Sequence, residues 1–466
     1  MNLGKLFGTD GVRGLANADL TPELALALGR AAVGVLRAEA EADAEADAGA
    51  DAGAGDPAGE RPVVVVGRDP RASGALLESA LVGGILSAGG DALLAGVLPT
   101  PAIAFLTRHL RAAAGAMISA SHNPMPDNGI KFFGPEGRKL PDPLEDRIEA
   151  ALGAADHGAP RPVGGAVGAL RHDPGAAEAY LAHLLEGLPD LGGLQVVVDC
   201  ANGAASSIGP EAYRRAGARV TAIAATPDGH NINHGCGSTH PERLQEAVAA
   251  SGASIGLAHD GDADRLIAVD EYGELVDGDV ILAIAALDER RRGRLMTGTV
   301  VTTVMTNLGF RRAMEDHGIE VIQTAVGDRY VLEAMLAGGH MLGGEQSGHI
   351  IFLDRAGTGD GILTGLRLLA ILARTGQPLS ELARVMRRLP QVLVNVHVAT
   401  RDGLASATRI WQAVATEEAA LGDRGRVLVR ASGTEPLIRI MVEAETVTDA
   451  QASANRLAAE VAAELG

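Results

Sequence analysis

Four consecutive valines set the first constraint. Val63 to Val66, preceded by Pro62 and closed by Gly67, form a run of β-branched residues that predicts a buried strand over 62–67. A polar loop, Arg68-Asp-Pro-Arg71, follows it, and then a helix over 73–88. The same order of events returns further on. Gln195-Val-Val-Val-Asp199 predicts a strand that ends in the polar turn Cys200-Ala-Asn-Gly203, with a helix over 208–216 and a strand over 219–224 behind it. A helix over 242–250 leads to strands over 254–258 and 266–269. A third round holds helix 279–289, strand 298–304, helix 308–317, strand 320–324, strand 350–353 and helix 360–373. Strand, loop and helix in alternation are the signature of the α/β class. After Pro390 the order changes to strand 392–398, helix 404–421, strands 426–429 and 437–443, and helix 449–464. A chain of 466 residues is also too long for one core. The expectation is three similar mixed α/β domains followed by a smaller α+β domain, with boundaries at 1–168, 169–271, 272–388 and 389–466. The Gly/Pro/Ala-rich passage 153–168 reads as a linker.

One stretch breaks this order. Thr21-Pro22-Glu23 supplies a helix start, with a cap before a first-turn proline, and the helix is predicted to run to about Arg37. Residues 38–60 then alternate Ala or Gly with Asp or Glu, eight acids and no base. That composition cannot bury a core and reads as a mobile surface insertion. It carries eight of the 19 net negative charges, so the rest of the chain stands near −11 (−19 + 8). A negative chain is a poor partner for nucleic acid or an anionic membrane. Only three lysines occur, Lys5, Lys131 and Lys139, and Cys200 and Cys236 are too few for a disulfide framework or a zinc site. With no apolar signal core at the N-terminus and no run of membrane-spanning length, the expected compartment is the cytoplasm.

The chemistry-bearing residues cluster in a few loops. Gly115 to Phe133 begins as a small apolar strand and breaks into Ser119-Ala-Ser121-His122-Asn123-Pro124. Pro124 keeps Asn123 out of the α region, and Pro126 to Gly129 prolong an irregular path before Lys131. Asp260, Asp262 and Asp264 alternate after a strand. On a flat strand such side chains stand roughly 6.6 Å apart, so the chain must curl at Gly261 and Ala263 to bring them together. Curled, they would repel without a cation, and an all-oxygen set suits Mg²⁺ or Mn²⁺. An EF-hand is the rival, with Glu271 at the twelfth position, but Arg265 stands where that loop needs glycine. Arg430-Ala-Ser432-Gly433-Thr434 offers a guanidinium, hydroxyls and glycine-flanked amides, a phosphate cradle; Arg439 could assist it or serve a structural ion pair. Glu345, Ser347 and His349 alternate and could face one side of an extended loop. Phe7-Gly-Thr-Asp-Gly-Val-Arg-Gly14 packs three glycines into eight residues and implies a tight backbone.

Taken together, Ser121-His122-Asn123-Pro124 with Lys131, Asp260-Gly-Asp262-Ala-Asp264-Arg265, Gly344-Glu345-Gln-Ser347-Gly-His349 and Arg430-Ala-Ser432-Gly433-Thr434 resemble the four signatures of the α-D-phosphohexomutase family, in order and over nearly the whole chain. The resemblance implies one signature per domain, with the active site in a central cleft. It implies a phosphorylated Ser121 and Mg²⁺ held by Asp260, Asp262, Asp264 and a phosphoserine oxygen. Lys131 is the implied general base, with His349 as runner-up; Arg265 and His122 would add positive charge or hydrogen bonds, and Arg13 would line the site. Glu345, Ser347 and His349 would bind the sugar, and Arg430, Ser432, Gly433 and Thr434, with Arg439, its phosphate. Within the family, the opening FGTDGVRG and GEQSGH resemble the bacterial branch that serves cell-wall precursor synthesis. That branch interconverts glucosamine 6-phosphate and glucosamine 1-phosphate through glucosamine 1,6-bisphosphate. The partner is then a small phosphosugar, and a homodimer is compatible with it. The alternatives are a mutase for neutral hexoses, phosphomannose or phosphoglucose, and a non-catalytic sugar-phosphate sensor. Met125-Pro126 and the acidic insert depart from the family pattern without touching a reacting group.

Overall fold

The structure, a computed structural model, describes residues 6–8, 10–48, 61–153, 161–399, 402–432 and 436–466. It falls into two compact units, Met1–Val304 with Ile322–Ala383, and Met305–Val321 with Arg384–Gly466.

The valine run sits at the heart of the first unit's largest sheet. Val64, Val65 and Val66 are fully buried, and the strand Val63–Arg68 pairs in parallel with both Asp91–Val97 and Ala114–Ile118. The sheet continues on one side to Leu170–His172 and on the other to Asp127–Phe133 and Val12–Leu15, the last two antiparallel. The strand Asp127–Phe133 corrects the sequence reading, which left 126–129 irregular. Ala114–Ile118 and Asp127–Phe133 are therefore two arms of a hairpin, and the Ser121 loop is its connection.

A second sheet runs Leu275–Val276, Leu266–Val269, Ile255–His259, Gln195–Asp199, Arg219–Ile223. A third runs Glu320–Thr324, Thr299–Thr303, Leu342–Gly344, Ile350–Phe352. The helix Asp328–Gly338, between the strands Glu320–Thr324 and Leu342–Gly344, was not foreseen. Helix Gly361–Thr375 starts where Asp360 caps it, its side chain accepting from the Leu363 amide at 2.9 Å.

In the second unit three antiparallel strands, Gln391–His397, Leu437–Glu443 and Arg426–Ala431, bury Ile438, Ile440 and Val442 against helices Thr408–Leu421 and Val447–Leu465. The expected helix start at 404 gives way to a 3-10 turn over Asp402–Ser406, with the α-helix beginning at Thr408.

The insert is also corrected. The helix that opens at Pro22 does not stop at Arg37 but runs to Ala48, through the first half of the acidic stretch; residues 49–60 lie outside the described residues. Ala and Glu are strong helix formers, and here propensity overrides the low hydrophobicity of the segment. Glu39 pairs with Arg147 of helix Asp142–Leu152.

The helices Pro22–Ala48 and Gly74–Ser87 lie in close contact, and glycine is what permits it. A methyl group at Gly84 would run into the Leu26 carbonyl, whereas one at Gly83, next door on the same helix, would meet open space. Gly83→Ala should therefore stabilise the fold by up to about 1 kcal/mol through helix propensity. Gly84→Ala should destabilise it by about 1–3 kcal/mol, since backbone must move. Melting temperatures of the two variants check this: they should shift in opposite directions, and a common sign would disprove the close approach.

Candidate active site

Ser121 and the three aspartates ride on loops that follow the carboxyl ends of strands, where open α/β sheets bind ligands. Ser121 follows Ala114–Ile118, and the aspartates follow Ile255–His259. Ser121 is buried and holds a left-handed backbone, φ +50°. A non-glycine residue there costs about 1–3 kcal/mol unless its surroundings fix it.

They do. Buried Arg71 donates to the carbonyls of Ser121 at 3.0 Å, Asn123 at 2.8 Å and Pro124 at 2.5 Å. Asn233 adds bonds to the same Ser121 and Asn123 carbonyls at 2.9 and 3.0 Å. Asp69 orients Arg71 through its Nε at 2.9 Å and accepts from Ser119 Oγ at 2.6 Å, while Ser119 Oγ accepts from the Ser121 amide at 3.0 Å. Sequence reasoning had placed Arg71 only on a loop. The signal was there, in a charged loop directly after the buried valine run.

The aspartates curl as the sequence required. Ala263 takes a left-handed conformation, φ +55°, and the three side chains bring an oxygen each within 4.8 Å of one another, the one such group of ligand-type side chains found among the described residues. Gly261 is obligatory, because a Cβ there would strike the Ser121 carbonyl and the Asn233 amide. Ser121 Oγ donates to Asp260 Oδ2 at 2.5 Å. Asp262 Oδ2 takes Thr100 Oγ1 at 2.6 Å and Lys131 Nζ at 2.9 Å. Asp262 Oδ1 and Asp264 Oδ1 are buried and accept no hydrogen bond. Bare anionic oxygens of that kind fit a divalent cation. Burial and the neighbouring carboxylates push Asp260 and Asp264 above the usual range. Asp262 moves the other way: burial would raise it, but Lys131 and Thr100 hold it low. Glu271 instead takes Ser380, which removes the EF-hand reading.

Lys131 is 1% exposed, on the strand Asp127–Phe133, between Asp262 and Asp10, the latter at 3.1 Å. Burial alone would lower its value; Asp10, Asp262 and Asp264 outweigh this and raise it, so the ammonium is held protonated. His122 Nδ1 lies 3.4 Å from Ser121 Oγ. Burial, then Arg265 and Arg13, depress His122 to about 4, so it is neutral and can offer a hydrogen bond but not the positive charge also considered for it. Arg265 lies 3.8 Å from Asp264, and Arg13 bonds Asn123 Oδ1 at 3.2 Å.

A cavity of about 440 Å³ is lined by Arg13, His122, Asp264, Arg265, Glu345 and His349. Ser347 is not among its lining residues. The segment turns back on itself, Gly348 amide to Glu345 carbonyl at 3.0 Å, and leaves Ser347 exposed. Strict alternation along an extended strand therefore fails here. Three further residues escaped the sequence reading: Asp10, Lys139 and Asp328, which also line this cavity. A larger cavity, about 690 Å³, lies elsewhere, against helices Gly278–Arg291 and Gly361–Thr375. Its arginines sit beside carboxylates, for example Arg367 with Asp354 at 3.0 Å, and it holds none of the candidate groups.

In the second unit, Arg430 and Arg439 face each other as direct cross-strand partners, and Ser432 is buried. Gly433 and Thr434 lie outside the described residues.

Comparison with known proteins agrees along the whole chain. Four consecutive domain families match: "Phosphoglucomutase/phosphomannomutase, alpha/beta/alpha domain I" at residues 4–158, domain II at 178–273, domain III at 277–389 and the C-terminal domain at 393–464. Proteins named phosphoglucosamine mutase from Symbiobacterium thermophilum and Streptomyces griseus are each 56% identical, over 98% of both chains in the first case and 100% in the second. The fold is similar to a phosphoglucomutase/phosphomannomutase family protein from Burkholderia thailandensis, with a TM-score of 0.80, 24% identity and coverage of 100% and 98% of the two chains.

His122 gives the site a pH signature. Its value falls from 6.5 to about 4 on folding, so the folded chain holds fewer protons on it than the unfolded chain. The stabilising share is complete above pH 6.5 and is lost as pH falls through about 4. The melting-temperature difference between wild type and His122→Asn, followed from neutral pH down through that window, should move steadily against wild type. A difference that stays constant would show that the ring does not titrate there.

Proposed function

This chain belongs to the phosphoglucomutase/phosphomannomutase family, and on that premise we propose that it interconverts glucosamine 6-phosphate and glucosamine 1-phosphate through a phosphoserine at Ser121 and a glucosamine 1,6-bisphosphate. The observation that carries the chemistry is Ser121 Oγ at 2.5 Å from one member of a buried carboxylate triad with two bare oxygens. The choice of amino sugar rests on the 56%-identical relatives.

In the forward half-reaction the phosphoryl group leaves Ser121 Oγ for the free hydroxyl of the sugar phosphate; the hydroxyl proton passes to a base, and the freed Ser121 Oγ takes up a proton. The bisphosphate then turns end for end, and its other phosphoryl returns to Ser121 Oγ, which gives up its proton while the freed sugar oxygen takes one from the protonated base. Asp260, Asp262, Asp264 and a phosphoserine oxygen would hold Mg²⁺. Mg²⁺, when bound, offsets charge on the transferring group. Lys131 is our base, with His349 as the alternative. Asp10, Asp262 and Asp264 hold Lys131 as the ammonium, so it can accept a proton only after a ligand on these carboxylates has drawn off their charge and left the amine neutral. Arg265, with neutral His122, stabilises the phosphoryl oxygens. Glu345 and His349 meet the sugar hydroxyls or amine. Arg430, Arg439, Ser432, Gly433 and Thr434 hold the phosphate that is not in transfer. The partner is a small phosphosugar, and the compartment the cytoplasm; no helix among the described residues is long and apolar enough to cross a membrane.

A panel of glucosamine, glucose and mannose phosphates tests the substrate. Turnover should be fastest on glucosamine 6-phosphate, and a mannose or glucose preference would replace this reading with the neutral-sugar one. Ser121→Ala should abolish turnover while the sugar phosphate still binds; activity within tenfold of wild type would reject Ser121 as donor.

The metal and the phosphate cradle are separable. Asp262→Ala should lose most Mg²⁺-dependent turnover, with partial rescue at high Mg²⁺, because two carboxylates remain. Arg430→Ala should weaken substrate binding and leave Mg²⁺ affinity unchanged. Calorimetric titration of both variants with each ligand decides the matter. Wild-type Mg²⁺ binding by Asp262→Ala would reduce the triad to an acidic turn.

A further inference from the structure

Lys139 was only one of three lysines in the sequence, and the mutase chemistry above gives it nothing to do. Its surroundings say otherwise. Its Nζ lies 2.6 Å from Asp10 Oδ1 and 2.6 Å from Asp328 Oδ2, and its side chain is 11% exposed. Asp10 lies within the N-terminal glycine segment and also meets Arg13 and Lys131, the latter at 3.1 Å. Asp328 begins helix Asp328–Gly338, far along the chain. Charges thus alternate without a break from Asp262 through Lys131, Asp10 and Lys139 to Asp328, which ends 3.5 Å from His349 Nε2.

The loop that carries Asp328 also carries Gly327, whose amide donates to Glu345 Oε1 at 3.3 Å. Asp328 therefore touches His349 directly, and its neighbour holds Glu345. The same junction is tied in the opposite direction. Arg329 donates to Glu145 Oε2 at 2.8 Å and to the Leu140 carbonyl at 3.2 Å, and pairs with Asp142. A lysine from the Ser121 side grips an aspartate of the sugar-side loop, and an arginine of that loop grips two acids beside the lysine.

We propose that Lys139 is a positioning residue for the sugar. By fixing Asp328 it sets where His349 and Glu345 stand in the cavity, and so governs how tightly the phosphosugar is held, apart from the phosphoryl chemistry at Ser121. This rests on the mutase reading above.

The test uses the full chain, with glucosamine 6-phosphate as probe, by steady-state kinetics and by calorimetric Kd. Lys139→Ala should raise KM and Kd about tenfold while kcat changes by less than about threefold. Lys139→Arg, which can still reach both carboxylates, should recover most of the loss. Mg²⁺ affinity should stay at the wild-type value, since the Lys131–Asp262 pair is untouched. Removing the lysine also takes from Asp328 its ammonium partner and will lower the melting temperature. Lys139→Ala with Asp328→Asn removes one stranded charge, so the melting temperature should recover while Kd stays raised. Should Lys139→Ala fail to fold, Lys139→Gln replaces it. A Kd within twofold of wild type for Lys139→Ala, or a Kd that recovers along with melting temperature in the double variant, overturns the proposal. A wild type that binds the sugar phosphate but turns over none of the panel refutes the mutase reading instead, and the Kd comparison still decides the role of Lys139.

Discussion

Everything at the candidate site answers to one electrostatic problem: three aspartates in a buried loop with an oxygen each inside 4.8 Å. Two unit charges 4 Å apart at an effective dielectric of 20 repel by about 4 kcal/mol. The chain meets this unevenly. Asp262 receives Thr100 and Lys131 and is held ionised, Asp260 receives Ser121, and Asp264 has Arg265 at 3.8 Å and His349 at 3.9 Å. The residual strain is visible in two bare carboxylate oxygens and in the upward push on Asp260 and Asp264. A cation removes both features at once, which is a stronger argument for metal binding than the spacing of the aspartates.

The Ser121 loop shows the complementary arrangement. Its strained backbone is held by donors aimed at carbonyls, Arg71 and Asn233, rather than by bonds to the serine hydroxyl. Among the described residues, Ser121 Oγ meets Asp260 and His122. A rigid backbone that aims the hydroxyl at a carboxylate of the triad is what pre-organised group transfer requires. Gly261 couples the two loops, because the aspartate turn can pass the Ser121 carbonyl only without a side chain.

Much of this was legible in the sequence. Buried strands announced themselves as valine runs, and the polar loops after them carried the candidate groups. The need for Gly261 and Ala263 to let the aspartates curl was also readable, and the structure meets it. What escaped was of three physical kinds. Pairings between distant segments, such as Lys139 with Asp328 or Thr100 with Asp262, leave no local periodicity to detect. Composition misled at 38–48, where low hydrophobicity suggested mobility but Ala and Glu continued a helix already begun. Periodicity misled at Ser347, since a tight turn at Gly348 cancels the alternation of an extended strand.

The second unit poses a related question in miniature. Arg430 and Arg439 stand directly opposite on neighbouring antiparallel strands, and like charges in that register destabilise a sheet. Burial together with Arg439 lowers the value of Arg430, the mark of a guanidinium crowded by another. Val429 and Ile440, on the same two strands, are apolar and buried, so the strands needed no charge pair to form. Two adjacent guanidinium groups on one face would suit a doubly charged phosphate, which is the role proposed for them above.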